Sequence, residues 1–133
     1  MRLSRLLILL LIALLPCIAL ADTTITLTFT GDVTLGSEAW LEPEPDSFAS
    51  QYEKNGPAYF LGNFAEFFAE DDLTIINLEG VLSDADLRPV QQGKNGSYFF
   101  KGKTGYTSVL TAASVEAASL ANNHTYDSGH KPR

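Results

Sequence analysis

Three short apolar runs, each stopped by an acid or an amide beside a small residue, limit what this chain can fold into. Thr24 to Thr30, TITLTFT, gives way to Gly31-Asp32. Leu73 to Leu78, LTIINL, gives way to Glu79-Gly80, and Val115 to Leu120 runs into Ala121-Asn122-Asn123-His124. The first alternates with a period of two and is rich in β-branched and aromatic residues. It predicts a strand with Ile25, Leu27 and Phe29 on one face and threonines on the other. The second and third are compact enough for buried parallel strands.

Between the runs the period changes. Phe60, Leu61, Phe64, Phe67 and Phe68 recur at spacings of three and four, which predicts a helix over 57–70 with an aromatic face packed on the sheet. Asn55-Gly56-Pro57 reads as its entry turn, with proline at the first helical position. Thr104 to Ala113 reads as a second helix that buries Tyr106, Val109 and Leu110. Residues 33–56, with their EPEPD stretch, and residues 83–97 read as loops. A short strand is expected at Tyr98 to Phe100. The order strand, helix, strand, helix, strand argues for an α/β sheet, mostly parallel, with crossover helices.

Parallel strands gather their carboxyl ends on one edge, where ligands bind in open α/β sheets. Asp32, Glu79, Asn123 and His124 are therefore expected to converge. Two neighbouring carboxylates repel, and a divalent cation resolves the conflict by taking both as ligands. Carboxylate, amide and imidazole donors suit Mn²⁺, Zn²⁺, Fe²⁺ or Mg²⁺. Such a metal could activate water, and a histidine outside the ligand set could supply a proton. Taken singly, each motif has a plainer explanation: Gly-Asp as a turn, Glu79 as a solvated acid, Asp127 as a helix N-cap. The joint occurrence of Gly31-Asp32, Glu79 and Asn122-Asn123-His124 at three strand ends is what points to chemistry.

The amino terminus has a different character. Arg2 and Arg5 precede an apolar run of ten, Leu6 to Leu15, and a small-x-small Ala19-Leu20-Ala21. That is the layout of a signal peptide over residues 1–21, with 22–133 as the mature domain. Retention as an uncleaved anchor is the alternative, and it is the only membrane contact expected. Pro16 makes Cys17 a poor lipid-attachment site. Cleavage removes Cys17, the only cysteine, and with Arg2 and Arg5 gone the formal charge moves from −7 to −9. A chain this acidic should not bind nucleic acid.

The motifs TFTGDVTLG (28–36), NLEGVLSD (77–84), FKG (100–102) and SLANNHTYDSG (119–129) occur in the order seen in the CapA/PgsA-type capsule synthesis proteins, which the chain resembles. The resemblance implies a role in capsule or poly-γ-glutamate synthesis and a metallophosphatase-like fold, a four-layer α/β/β/α sandwich of which this chain would hold an incomplete part. With the signal segment, the expectation is an exported protein, secreted, periplasmic or on the envelope surface, and a membrane polymer-synthase complex is the partner expected of a scaffold. It further implies Asp32, Asn77, Glu79 and Asn123 as metal ligands, His124 as the general acid and Asp127 as the group that orients it.

The chain also departs from the pattern. Thr34 stands where metallophosphatases carry a histidine, and Ser114-Val115-Glu116 stands where a glycine-aspartate pair is usual. The ending GHKPR reads as a C-terminal truncation, with His130 the only other histidine. A non-catalytic scaffold of a polymer synthase, or a fragment without function, are the competing expectations. A truncated sheet would have an open edge and an uncovered face.

Overall fold

The structure is a computed structural model, and it describes residues 23–38, 40–85 and 98–127. The signal segment and most of the loop at 83–97 lie outside the described residues.

Three parallel strands form the central sheet in the order β1-β2-β5: β1 Leu27–Val33, β2 Leu73–Leu78 and β5 Ala117–Ser119. β2 occupies the predicted residues. β1 is displaced toward the carboxyl end: it does not stop at Gly31-Asp32 but carries Asp32 within it, through an irregularity in register between Phe29 and Asp32. β5 is the predicted third strand, trimmed at both ends. A second, two-stranded parallel sheet pairs β3 Val81–Leu82 with β4 Lys101–Gly102. The strand expected at Tyr98 to Phe100 therefore forms slightly later.

The stretch 33–56 is not all loop, because Phe48–Asn55 is a helix, α1. Its signals are present in the sequence. Ser47 caps it, accepting from the Ser50 N–H at 3.1 Å, and Gly56 ends it with φ 77°. Phe48 and Tyr52, four residues apart, pack on the core. The helix expected over 57–70 is broken into α2 Ala58–Leu61, a 3₁₀ turn Gly62–Phe64 and α3 Ala65–Ala69. Gly62-Asn63 are poor helix formers at its centre. The break turns the aromatic face: Phe68 is buried and Phe60 and Leu61 pack on the core, while Phe64 and Phe67 are exposed. The second predicted helix starts with a 3₁₀ turn, Thr104–Tyr106, and continues as α4 Thr107–Thr111.

The core lies on one face of the sheet. Ile76 and Leu78 of β2 meet Phe68, Tyr106, Val109, Leu110, Ala113 and Val115, and Val109 is 0 % exposed. Each fully buried side chain of this kind contributes roughly 1.5–3 kcal/mol. Thr74 shares this face and is also fully buried; its hydroxyl donates to Asp71 Oδ2 at 2.7 Å and its N–H to Glu116 Oε2 at 2.8 Å, which offsets the cost of burying it.

The opposite face is open. Register aligns Leu27 with Leu73, Phe29 with Ile75, and Ile75 with Ala117, so these five side chains share that face. Ile25 is 66 % exposed and Phe29 69 %. The two-fold alternation of TITLTFT is thus real, and its apolar side is the uncovered one.

Candidate functional site

Asp32 of β1 and Asn77 of β2 are register partners, so both side chains leave the sheet on the same side at its carboxyl edge. Asn77 Nδ2 donates to Asp32 Oδ1 at 2.7 Å and to Glu79 Oε2 at 2.9 Å. One amide nitrogen thus bridges two carboxylates that would otherwise repel. The other end of Asn77 is held too: Oδ1 accepts from Asn122 Nδ2 at 2.9 Å.

Asn122 ties the segment after β5 to β2. Its amide also donates to the Leu78 carbonyl at 2.8 Å, and its Oδ1 accepts from the His124 N–H at 3.0 Å. This last bond closes a tight turn that presents the His124 ring. The role of Asn122 was not anticipated from sequence. Two adjacent asparagines carry the same chemistry, and only the turn decides which one points inward. Asn123 is exposed.

His124 lies between two acids. Nδ1 is 2.7 Å from Asp127 Oδ2 and Nε2 is 3.4 Å from Glu79 Oε1. The Phe100 ring lies against it with centroids 4.9 Å apart. Asp127 is buried and Oδ2 also accepts from the Phe100 N–H at 2.7 Å, which fixes the carboxylate before it meets the imidazole. An ionised carboxylate only accepts, so Nδ1 carries the hydrogen and Nε2 is the nitrogen presented to Glu79.

The structure therefore brings together Asp32, Asn77, Glu79, His124 and Asp127, and adds Asn122 to them. Asn123 stays at the rim without a hydrogen bond to the cluster. Thr34, at the position of the expected histidine, is half-buried just beyond β1.

The donor chemistry fits a divalent cation. Asp32 and Glu79 reach one common atom, and oxygens with a single imidazole are donors that Mn²⁺, Zn²⁺, Fe²⁺ or Mg²⁺ accept. Among the described residues, no three His, Cys, Asp or Glu side chains are grouped to hold a metal ion. A cation here would need amide oxygens to complete its shell.

A parallel α/β sheet with helices on one face and an acid-amide-histidine cluster at its carboxyl edge defines an α/β protein carrying part of a metallophosphatase-like domain. The family model described as Bacterial capsule synthesis protein PGA_cap matches residues 26–132, and the chain belongs to that family. Among curated proteins, no match to the chain was found. No helix among the described residues is long and apolar enough to cross a membrane.

Proposed function

We propose that this chain acts in capsule or poly-γ-glutamate synthesis at the cell envelope, and that the cluster around Asn77 is a metal-dependent hydrolase-type site. Asp32 and Glu79 would hold the cation, joined by Asn77 and Asn123 once their amide oxygens turn toward it, and the ion when bound would supply Lewis acidity and a more acidic water. The observation that carries this reading is the single Asn77 nitrogen in contact with both carboxylates. Membership of the capsule synthesis family supports the biological role, and the Arg2-to-Ala21 pattern supports export.

The chain's own residues divide the work. Asp127 holds the Nδ1 hydrogen of His124 and fixes the ring. Nε2 then faces the acids, where it can hold a proton and pass it to a leaving group. Phe100 covers one side of the ring and limits access of water.

Titration of the full chain with Mn²⁺ by calorimetry tests this. Saturable heat is expected for the native chain and its loss for Asp32→Ala. Equal, negligible heats for both would end the metal-dependent version. A second reading, a non-catalytic scaffold of a membrane polymer synthase, is favoured by the open apolar face of the sheet and by Thr34 in place of a histidine. Capture of synthase components by the native chain and by His124→Ala alike, with no hydrolysis of phosphodiester or γ-glutamyl substrates, would favour the scaffold.

A further inference from the structure

In the order β1-β2-β5, no described strand lies beyond β1, so one of its edges is free. Thr26, just before β1, turns its backbone toward β2: its N–H donates to Asp72 Oδ2 at 2.8 Å, and its carbonyl accepts from the Asp72 N–H at 3.0 Å. Backbone groups alternate sides along an extended chain, so Leu27 and Phe29 aim theirs at the free edge, as would Ile25 in the same strand. Residues 23–30 contain no charge and no proline, two of the devices that blunt an edge. The register irregularity, a third, comes only after Phe29.

The same segment matches itself when reversed. In TITLTFT, threonines alternate with Ile25, Leu27 and Phe29, and Leu27 is the centre. Antiparallel pairing with a second copy about that centre sets Leu27 opposite Leu27 and Ile25 opposite Phe29. It also sets Thr26 opposite Thr28 and Thr24 opposite Thr30. Residues that face outward then meet residues that face outward, and each such pair exchanges both N–H···O bonds. Aromatic with β-branched, and threonine with threonine, are favourable cross-strand pairs. Moving the centre one residue either way leaves Phe29 opposite Thr23 or Ile25 opposite Gly31.

We propose that this chain forms a symmetric dimer by antiparallel pairing of β1 with β1 about Leu27. The occupant of the edge is a second copy because the segment is complementary to its own reverse. A two-fold axis normal to the sheet relates the copies, joins their sheets edge to edge and keeps both open faces on one side. Phe29 of each copy then lies against Ile25 of the other, which covers part of two side chains that are exposed in the single chain. Each copy carries a net charge of −7, and none of it falls within residues 23–30. The contact is neutral while the bodies repel, so added salt tightens the dimer. Nothing here depends on the metal-dependent site.

The test uses the full chain with Cys17→Ser, so that no native thiol interferes. Sedimentation equilibrium should show monomer and dimer, with the dimer favoured by NaCl. Leu27→Lys sets two ammonium groups opposite each other and should weaken the dimer at least tenfold, with circular dichroism unchanged. The apolar run 6–15 is common to all these chains and cancels in the comparison. Under oxidising conditions Leu27→Cys should cross-link to itself, since residues paired in this way lie about 5.5 Å apart at Cα, within disulfide reach. Ile25→Cys and Phe29→Cys should not cross-link singly, their like positions being about 13 Å apart along the strands, but should do so when mixed. Amide exchange at Leu27 and Phe29 should slow as protein concentration rises, while that at Thr28, which faces β2, stays constant. A chain that remains monomeric, association unchanged by Leu27→Lys, or equal cross-linking of all three cysteine variants taken singly would each overturn the proposal. A monomer whose Leu27 and Phe29 amides are protected at every concentration would put another segment of the same chain on this edge, and would overturn it too.

Discussion

Asn122 Nδ2 and Asn77 Oδ1 are 2.9 Å apart, and this bond joins the turn that follows β5 to the end of β2. With it, one continuous chain of hydrogen bonds runs from Asp32 through Asn77 and Asn122 to the His124 backbone. Position within that chain gives the two neighbouring asparagines opposite expected phenotypes. Asn122→Ala removes two donated and two accepted bonds and should cost about 1–3 kcal/mol in urea denaturation. Asn123→Ala should stay within about 0.5 kcal/mol of the native chain. If Asn123 is a metal ligand, the same variant weakens Mn²⁺ binding without that stability cost.

Asp127 accepts from both the Phe100 N–H and the His124 ring, so its loss reaches further than the site. Asp127→Ala leaves the Phe100 N–H without its acceptor and should speed exchange of that amide with solvent at least tenfold. His124→Ala keeps the Asp127–Phe100 bond and should leave that rate nearly unchanged. Hydrogen exchange by NMR separates the two.

Ser114 adopts φ 57°, a left-handed conformation that costs a residue with a Cβ about 1–2 kcal/mol. It follows α4, and the Val115 N–H reaches back to the Leu110 carbonyl at 3.0 Å, as in a helix end built for glycine. Ser114→Gly is therefore expected to raise stability by about 0.5–1 kcal/mol, read as a higher urea midpoint. Ser114→Val should lower it.

Asp84 accepts from the N–H and the hydroxyl of Thr104 at the start of the helical segment that contains α4. Those bonds, helped by Lys101 and Lys103, hold its carboxyl below the usual range. A depressed folded value means that the stabilisation is present above pH about 3.9 and fades as pH falls through the folded value. The urea midpoint of Asp84→Ala should thus lie below that of the native chain at pH 6, and the gap should narrow as pH falls below about 3.9.

Ile25, Leu27 and Phe29 stand exposed on the open face. An apolar patch of this kind drives association. Phe29→Ser should reduce light scattering at high protein concentration while the urea midpoint stays within about 0.5 kcal/mol, since the ring buries little in the single chain.

Local pattern carried the strands and the placement of the acids. β2 is legible because six consecutive residues favour a buried strand, and the Asp32, Glu79 and His124 clusters are legible because each ends such a run. α1 is hard to read although Ser47, Phe48, Tyr52 and Gly56 announce it, since the prolines just upstream argue for loop. The break at Gly62 was equally hidden, because periodicity records which residues are apolar and not whether the backbone between them stays helical.

By itself, then, the sequence determined an α/β chain with acids, amides and a histidine at the ends of parallel strands, because side-chain period and turn chemistry are local properties. Only the tertiary structure decided that Asn77 would span Asp32 and Glu79, that Asn122 rather than Asn123 would turn inward, and that the apolar side of TITLTFT would be the uncovered one. Those outcomes depend on strand register and on which face the helices take, and both are set by contacts between residues more than forty positions apart.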